Sequence, residues 1–176
     1  FSIAQCEGVS LEDKETLENI TILRAGWSEV QGSNDEYRAM LKEIDSLNVP
    51  IDFVANNAGM QVAYRNDYCN TPVEDYEKSF AINTIAPALI MYHFLPKMQE
   101  RGFGRILNTT SGINLDPQQA GYSASKAALD KVTIDLGSKV QGTDVLINLT
   151  DPGWCRTDLG GPHAPVSYTH LRAHET

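Results

Sequence analysis

Tyr122 and Lys126 stand four residues apart in GYSASKAAL, and Ser111 precedes them at the end of the apolar run GRILNTTS. Residues at that spacing on a helix face the same way, so the ammonium can lie beside the phenol. A neighbouring cation favours the phenolate and draws a pKa of about 10 toward the working range of a general acid/base. A hydroxyl arriving from a strand end can hold a substrate oxygen within reach of that phenol. The chemistry such a trio could do is proton transfer at a carbonyl or an alcohol. The Tyr–Lys spacing alone is weak, because i,i+4 pairs of these residues are ordinary on helix surfaces. Its weight depends on the elements that must position it.

Those elements alternate. FSIAQ reads as a strand, LEDKETLEN as a short polar helix and ITILRAG as a β-branched strand. NDEYRAMLKEIDSLN places Tyr37, Met40, Leu41, Ile44 and Leu47 at helical spacing. VPIDFVANNAG is a buried-type strand, and a long helix from Val73 to Arg101 is expected to bend near Pro87 and Pro96. GRILNTTS is a further strand, AGYSASKAALDKVTIDLGSKV a further helix and DVLINLTDPG a last strand. This alternation predicts a doubly wound α/β fold, a parallel sheet with helices on both faces and ligands at the carboxyl ends of its strands. NNAG, TTS and DPGW each follow a strand, so all three are expected to line one crevice.

Five motifs recur in a fixed order: Asn56-Asn57-Ala58-Gly59, Asn83 in FAINTIAPALI, Ser111 in GRILNTTSG, Tyr122 with Lys126 in YSASK, and Pro152-Gly153 in DPGWCRTD. In order and approximate spacing the chain resembles the short-chain dehydrogenase/reductase family, over about residues 1–165. The resemblance implies a Rossmann-like fold and an NAD(P)(H)-dependent oxidoreductase that interconverts a carbonyl and an alcohol by hydride transfer. It implies that Tyr122 is the acid in reduction and the base in oxidation, that Lys126 lowers its pKa and bonds the nicotinamide ribose, and that Ser111 orients the carbonyl. Asn83 would hold a water linking Lys126 to solvent. Asn57, Ala58 and Gly59 would lie against the adenosine half of the cofactor, and Pro152, Gly153 and Thr157 would border the nicotinamide. No metal is implied. PGWCRTDLGGP resembles carbonyl-reductase-like members, which favours NADP over NAD. A dimer or tetramer packed through the long helices is the implied assembly.

Several positions keep a second reading. Asn83 can be a polar side chain bonded to backbone, Ser111 has rivals in Thr109 and Thr110, and Thr157 can cap the next turn. Trp154 and Cys155 read as pocket lining, because nothing nearby would activate the thiol. His93 reads as a packing or interface residue, and the acids of LEDKE and VEDYEK as solvated helix faces. For the whole chain the alternative is a non-catalytic dinucleotide-binding or sensing domain of the same fold.

The sequence also departs from the family. No stretch reads T-G-x-x-x-G-x-G, Gln5 and Cys6 supply neither an acid nor a base to select a cofactor, and Gly26-Trp27 stand where an aspartate near the adenine is usual. The first strand and helix and the C-terminal elements are therefore expected to be missing, which leaves an inactive fragment. Val166 to Thr176, VSYTHLRAHET, resembles a translated sequencing adapter and is expected to be an unstructured tail. His170 and His174 fall within it, so their spacing carries no metal argument.

Size and charge agree with this picture. The chain has 176 residues, enough for one domain with a real core. A formal net charge of −9 argues against nucleic-acid and anionic membrane surfaces. Cys6, Cys69 and Cys155 are widely spaced and fit a reducing cytosol, and no run is long and apolar enough to span a bilayer.

Overall fold

The computed structural model describes residues 34–61, 68–112, 119–157 and 159–166. The segments read as FSIAQ, LEDKETLEN and ITILRAG, with Gln5, Cys6, Gly26 and Trp27, lie outside the described residues, as do His170 and His174. Within them the order is helix α1 (Asn34–Ser46), strand β1 (Phe53–Asn56), helices α2 (Val73–Phe80) and α3 (Ala86–Arg101), strand β2 (Gly104–Thr109), helix α4 (Ala120–Ser138) and strand β3 (Val145–Thr150). A short 3₁₀ turn, Tyr68–Asn70, precedes α2. No helix among the described residues is long and apolar enough to cross a membrane.

The strands form a parallel sheet in the order β1-β2-β3, with Asn56 opposite Asn108 and Thr109 opposite Thr150. Because side chains alternate along a strand, Val54, Ile106 and Val145 share one face. They join one core cluster with Leu41 and Ile44 of α1, Met91, Phe94 and Met98 of α3 and Leu129 of α4. The three helices thus pack on that face. On the other, Ala55 and Leu107 are half-buried, and Phe53 and Leu146 are exposed.

α1 buries Tyr37, Leu41 and Ile44 as its helical spacing predicts, whereas Leu47 lies past the helix end and is exposed. α3 ends where Gly102 turns left-handed at φ 75°, a conformation that costs a residue with Cβ. There the Phe103 N–H reaches back to the Met98 carbonyl at 3.1 Å. Away from the carboxyl ends, Arg105 donates to Asp144 at 2.6 Å and Arg101 to the Ile51 carbonyl at 2.6 Å. His93 ties α3 to α1: its Nε2 lies 3.0 Å from an Asp45 oxygen that Lys97 also bonds at 2.5 Å. Those two partners hold the Asp45 carboxyl below the usual carboxylate range.

The long helix changes its winding midway. Between α2 and α3 the chain makes a π turn, Ala81–Ile85, in which the Ala86 N–H bonds the Ala81 carbonyl. The irregularity falls just before Pro87, which sits in the first turn of α3 where its missing N–H costs nothing. Pro96 lies inside α3. Single π turns are rare and cluster at functional sites, and this one carries Asn83.

Candidate active site

Parallel strands in register bring their carboxyl ends to one edge, and the motif residues gather there. Asn57, Ala58 and Gly59 follow β1, Ser111 lies two residues beyond β2, and Pro152 and Gly153 lie just beyond β3. Side-chain bonds lace the strand ends together. Asn56 donates to Asn108 at 2.7 Å in the interior, and Asn108 donates to Thr133 of α4 at 2.9 Å. Thr109 donates its hydroxyl to the side-chain Oδ1 of Asn57 at 3.1 Å.

α4 supplies Tyr122 and Lys126 from its first turns. Both are buried, at 8% and 3% exposure, and the ammonium lies 6.0 Å from the centre of the phenol ring. Burial lowers the Lys126 pKa from 10.5 to about 8, and the nearby Asp130 carboxylate acts in the opposite direction. An ammonium has three donors. Among the described residues Lys126 makes one hydrogen bond, to the Thr109 carbonyl at 2.7 Å. Its remaining donors are beside Gly59: a Cβ built there would stand 3.5 Å from Lys126 Nζ and 3.5 Å from Asn83 Oδ1. The bare Cα keeps that space open. A buried ammonium with donors to spare, next to a residue without a side chain, fits the hydroxyl-rich ribose of a nicotinamide dinucleotide.

Asn83 is fully buried in the π turn and grips the loop after β1 with both ends of its amide. Its Oδ1 accepts from the Met60 N–H and its Nδ2 donates to the Met60 carbonyl, each at 2.8 Å. Nδ2 also donates to Ser125 Oγ at 3.0 Å, and Ser125 in turn donates to the Tyr122 carbonyl at 2.7 Å. Both amide donors are thus used on protein, so any water at Asn83's side chain must donate to the second lone pair of Oδ1. Gly121 lets α4 approach α2: a Cβ there would lie 3.1 Å from Tyr76 Cα. One residue earlier Ala120 holds a left-handed φ of 38°, so backbone strain lies at the start of the helix that carries Tyr122.

The rivals of Ser111 are occupied. Thr109 bonds Asn57, and Thr110 donates its hydroxyl to Asp130. Ser111 is half-buried and makes no side-chain bond among the described residues. Thr157 caps its own turn, its hydroxyl accepting from the Gly160 N–H at 3.1 Å. Among the described residues its side chain makes no hydrogen bond to Tyr122, Lys126 or Asn83. Trp154 is exposed and donates to the Gly160 carbonyl at 2.8 Å; Cys155 is buried, its thiol donates to the Pro152 carbonyl at 3.1 Å, and desolvation pushes its pKa up. The last described residue, Val166, pairs with that loop through the Arg156 N–H at 2.9 Å.

Three contributors were not among the residues singled out from the sequence. Ser125 lies between Tyr122 and Lys126 and Asp130 one turn beyond Lys126, so helical spacing could have found both. Asp151 bonds two loops at once, through Gly112 N–H at 2.8 Å and Gly153 N–H at 2.9 Å. The Asp-Pro-Gly run announces the bond to Gly153, but nothing local announces the bond to Gly112, which lies beyond β2.

Comparison with known proteins bears on the family and the fold. Residues 19–165 match the family model described as short chain dehydrogenase. An uncharacterized oxidoreductase of Bacillus subtilis, YvrD, is 28% identical over 148 residues, which is 80% of this chain and 55% of that protein. An NAD+-bound xylitol dehydrogenase superposes with a TM-score of 0.64 at 25% identity, over 70% of this chain and 48% of that one. A metagenomic short-chain oxidoreductase in complex with NADP shares the fold, with a TM-score of 0.63 at 24% identity over 69% and 55% of the two chains. The chain therefore spans about half the length of the relatives it matches. A Rossmann-like parallel sheet, the ordered strand-end motifs and a family match over most of its length make this chain a member of the short-chain dehydrogenase family of oxidoreductases.

Proposed function

We propose that the protein containing this chain interconverts a carbonyl and an alcohol with NADP or NAD, through a proton relay of Ser111, Tyr122 and Lys126. The observation that carries the proposal is the buried Lys126 ammonium, set against the Tyr122 ring with donors unused beside Gly59. A bound nicotinamide dinucleotide supplies or accepts the hydride. Tyr122 gives its phenolic proton to the carbonyl oxygen in reduction and takes it back in oxidation. Lys126 favours the phenolate left behind, and its spare donors hold the cofactor's ribose. Ser111 orients the substrate oxygen, the neighbouring threonine hydroxyls being engaged elsewhere. Asn83 Oδ1 and Lys126 Nζ flank the same open space at Gly59, where a water between them can reload the relay. Asn57, Ala58 and Gly59 line the adenosine side, and Pro152, Gly153 and Thr157 the nicotinamide side. NADP is favoured over NAD, and the substrate is a small carbonyl compound or its alcohol.

In the full-length protein, Tyr122→Phe removes the proton and keeps the ring. Turnover of carbonyl substrates should fall by at least about a hundredfold, the scale of a lost general acid, while the cofactor's Kd moves less than about threefold. Turnover near the wild-type level would end the relay assignment and leave a dinucleotide-binding role. The isolated 176-residue chain lacks the glycine-rich turn that aims N–H groups at a pyrophosphate, and on this reading it is inactive.

A further inference from the structure

Ser111 is the one relay residue with no side-chain bond among the described residues, yet both of its peptide neighbours are tethered. On one side Thr110 pairs its N–H with the Thr150 carbonyl at 2.8 Å and gives its hydroxyl to Asp130, one turn beyond Lys126 on α4. On the other side the Gly112 N–H donates at 2.8 Å to Asp151, whose second oxygen accepts from Gly153 at 2.9 Å. Gly112 is suited to that grip, since a Cβ there would stand 2.5 Å from the carboxylate oxygen. Hydrogen bonds to ionised acceptors are about twice as strong as neutral ones. With the backbone held before and after it, a serine retains one free torsion, χ1.

We propose that Asp130 and Asp151 are positioning residues for Ser111, bracketing it from α4 and from the loop after β3 so that its hydroxyl meets the substrate oxygen. The inference rests on the relay proposed above. It adds that the two carboxylates act on catalysis through Ser111 and not through general stability. Asp151 also joins the Ser111 loop to the Pro152-Gly153 loop, so movement of one is felt by the other.

The test is a set of double-mutant cycles in the full-length protein, with kcat, KM and cofactor Kd measured for each variant. Asp130→Ala and Asp151→Ala should each lower kcat about tenfold or more, the scale of a slightly misplaced catalytic group. Asp130→Ala should leave the cofactor Kd within about twofold, and Asp130→Asn, whose amide oxygen still accepts from Thr110, should recover most of kcat. In a Ser111→Ala background the same alanine substitutions should change kcat less than about twofold, because coupled sites are not additive. A full tenfold loss in that background, or wild-type kcat in Asp130→Ala and Asp151→Ala, would overturn the bracket. If Asp130→Ala does not fold, Thr110→Val breaks the same bond, and Gly112→Ala breaks the Asp151 contact from its other end. Wild-type kcat in Ser111→Ala and Tyr122→Phe would instead sink the relay itself, a different outcome from failure of the bracket.

Discussion

Lys126 illustrates what burial does to a single residue. Its ammonium is nearly inaccessible, and desolvation lowers its pKa from 10.5 to about 8. The charged form is therefore a cost to the folded state. Below about pH 8 folded and unfolded chains both carry the proton, and the penalty is present in full. Between about pH 8 and 10.5 the unfolded chain holds more protons, so native stability rises with pH across that window. Lys126→Met removes the group. The unfolding free energy of the wild type minus that of the variant should increase from pH 8 to pH 10 in urea titrations of the full-length protein. A difference that is flat over that range would show that the lysine is not perturbed. Spacing alone made Tyr122 and Lys126 a weak signal, and only the ordered strand-end motifs around them singled them out. Ser111 was legible only with two rivals, which the structure occupies with Asn57 and Asp130.

At the scale of elements, the π turn and α4 are bolted together by a small polar set. Asn83, Ser125 and Thr84 link them in the interior, with Thr84 donating to the Ser125 carbonyl at 2.7 Å. Two buried serines make opposite predictions. Ser125→Ala strips a partner from Asn83 and should cost about 1–3 kcal/mol. Ser79 is equally buried but its hydroxyl has no partner among the described residues, so Ser79→Ala should be neutral or stabilising. Urea midpoints of the two variants decide the matter, and equal losses would contradict the network. Apolar spacing located α1, and the sequence placed one helix over Val73 to Arg101 without the π turn, because winding depends on which carbonyls find partners and not on hydrophobic spacing. Proline predicted bends near residues 87 and 96; the change of winding falls just before Pro87, and Pro96 lies inside α3.

The whole molecule sets the limits of what the site can do. Among the described residues the core is one cluster between a sheet face and three helices, and it holds three strand ends level so that their loops meet. This chain spans about half of its relatives' length, and its sequence has no glycine-rich pyrophosphate turn. The isolated 176 residues should therefore show no NAD(P)H oxidation with any carbonyl substrate above the buffer rate, whereas the full-length protein should turn over; activity in the short chain would refute this. The sequence by itself determined the alternation of elements, the parallel sheet and the edge at which Asn57, Ser111, Tyr122, Lys126 and Gly153 gather, because periodicity and chain order are local properties. Only the tertiary structure decided that Asn83 grips Met60 and that Asp130 and Asp151 bond the residues on either side of Ser111. Those are pairings between segments far apart in the chain, and a hydrogen bond across 39 residues, such as Gly112 to Asp151, exists only once packing has brought its two ends together.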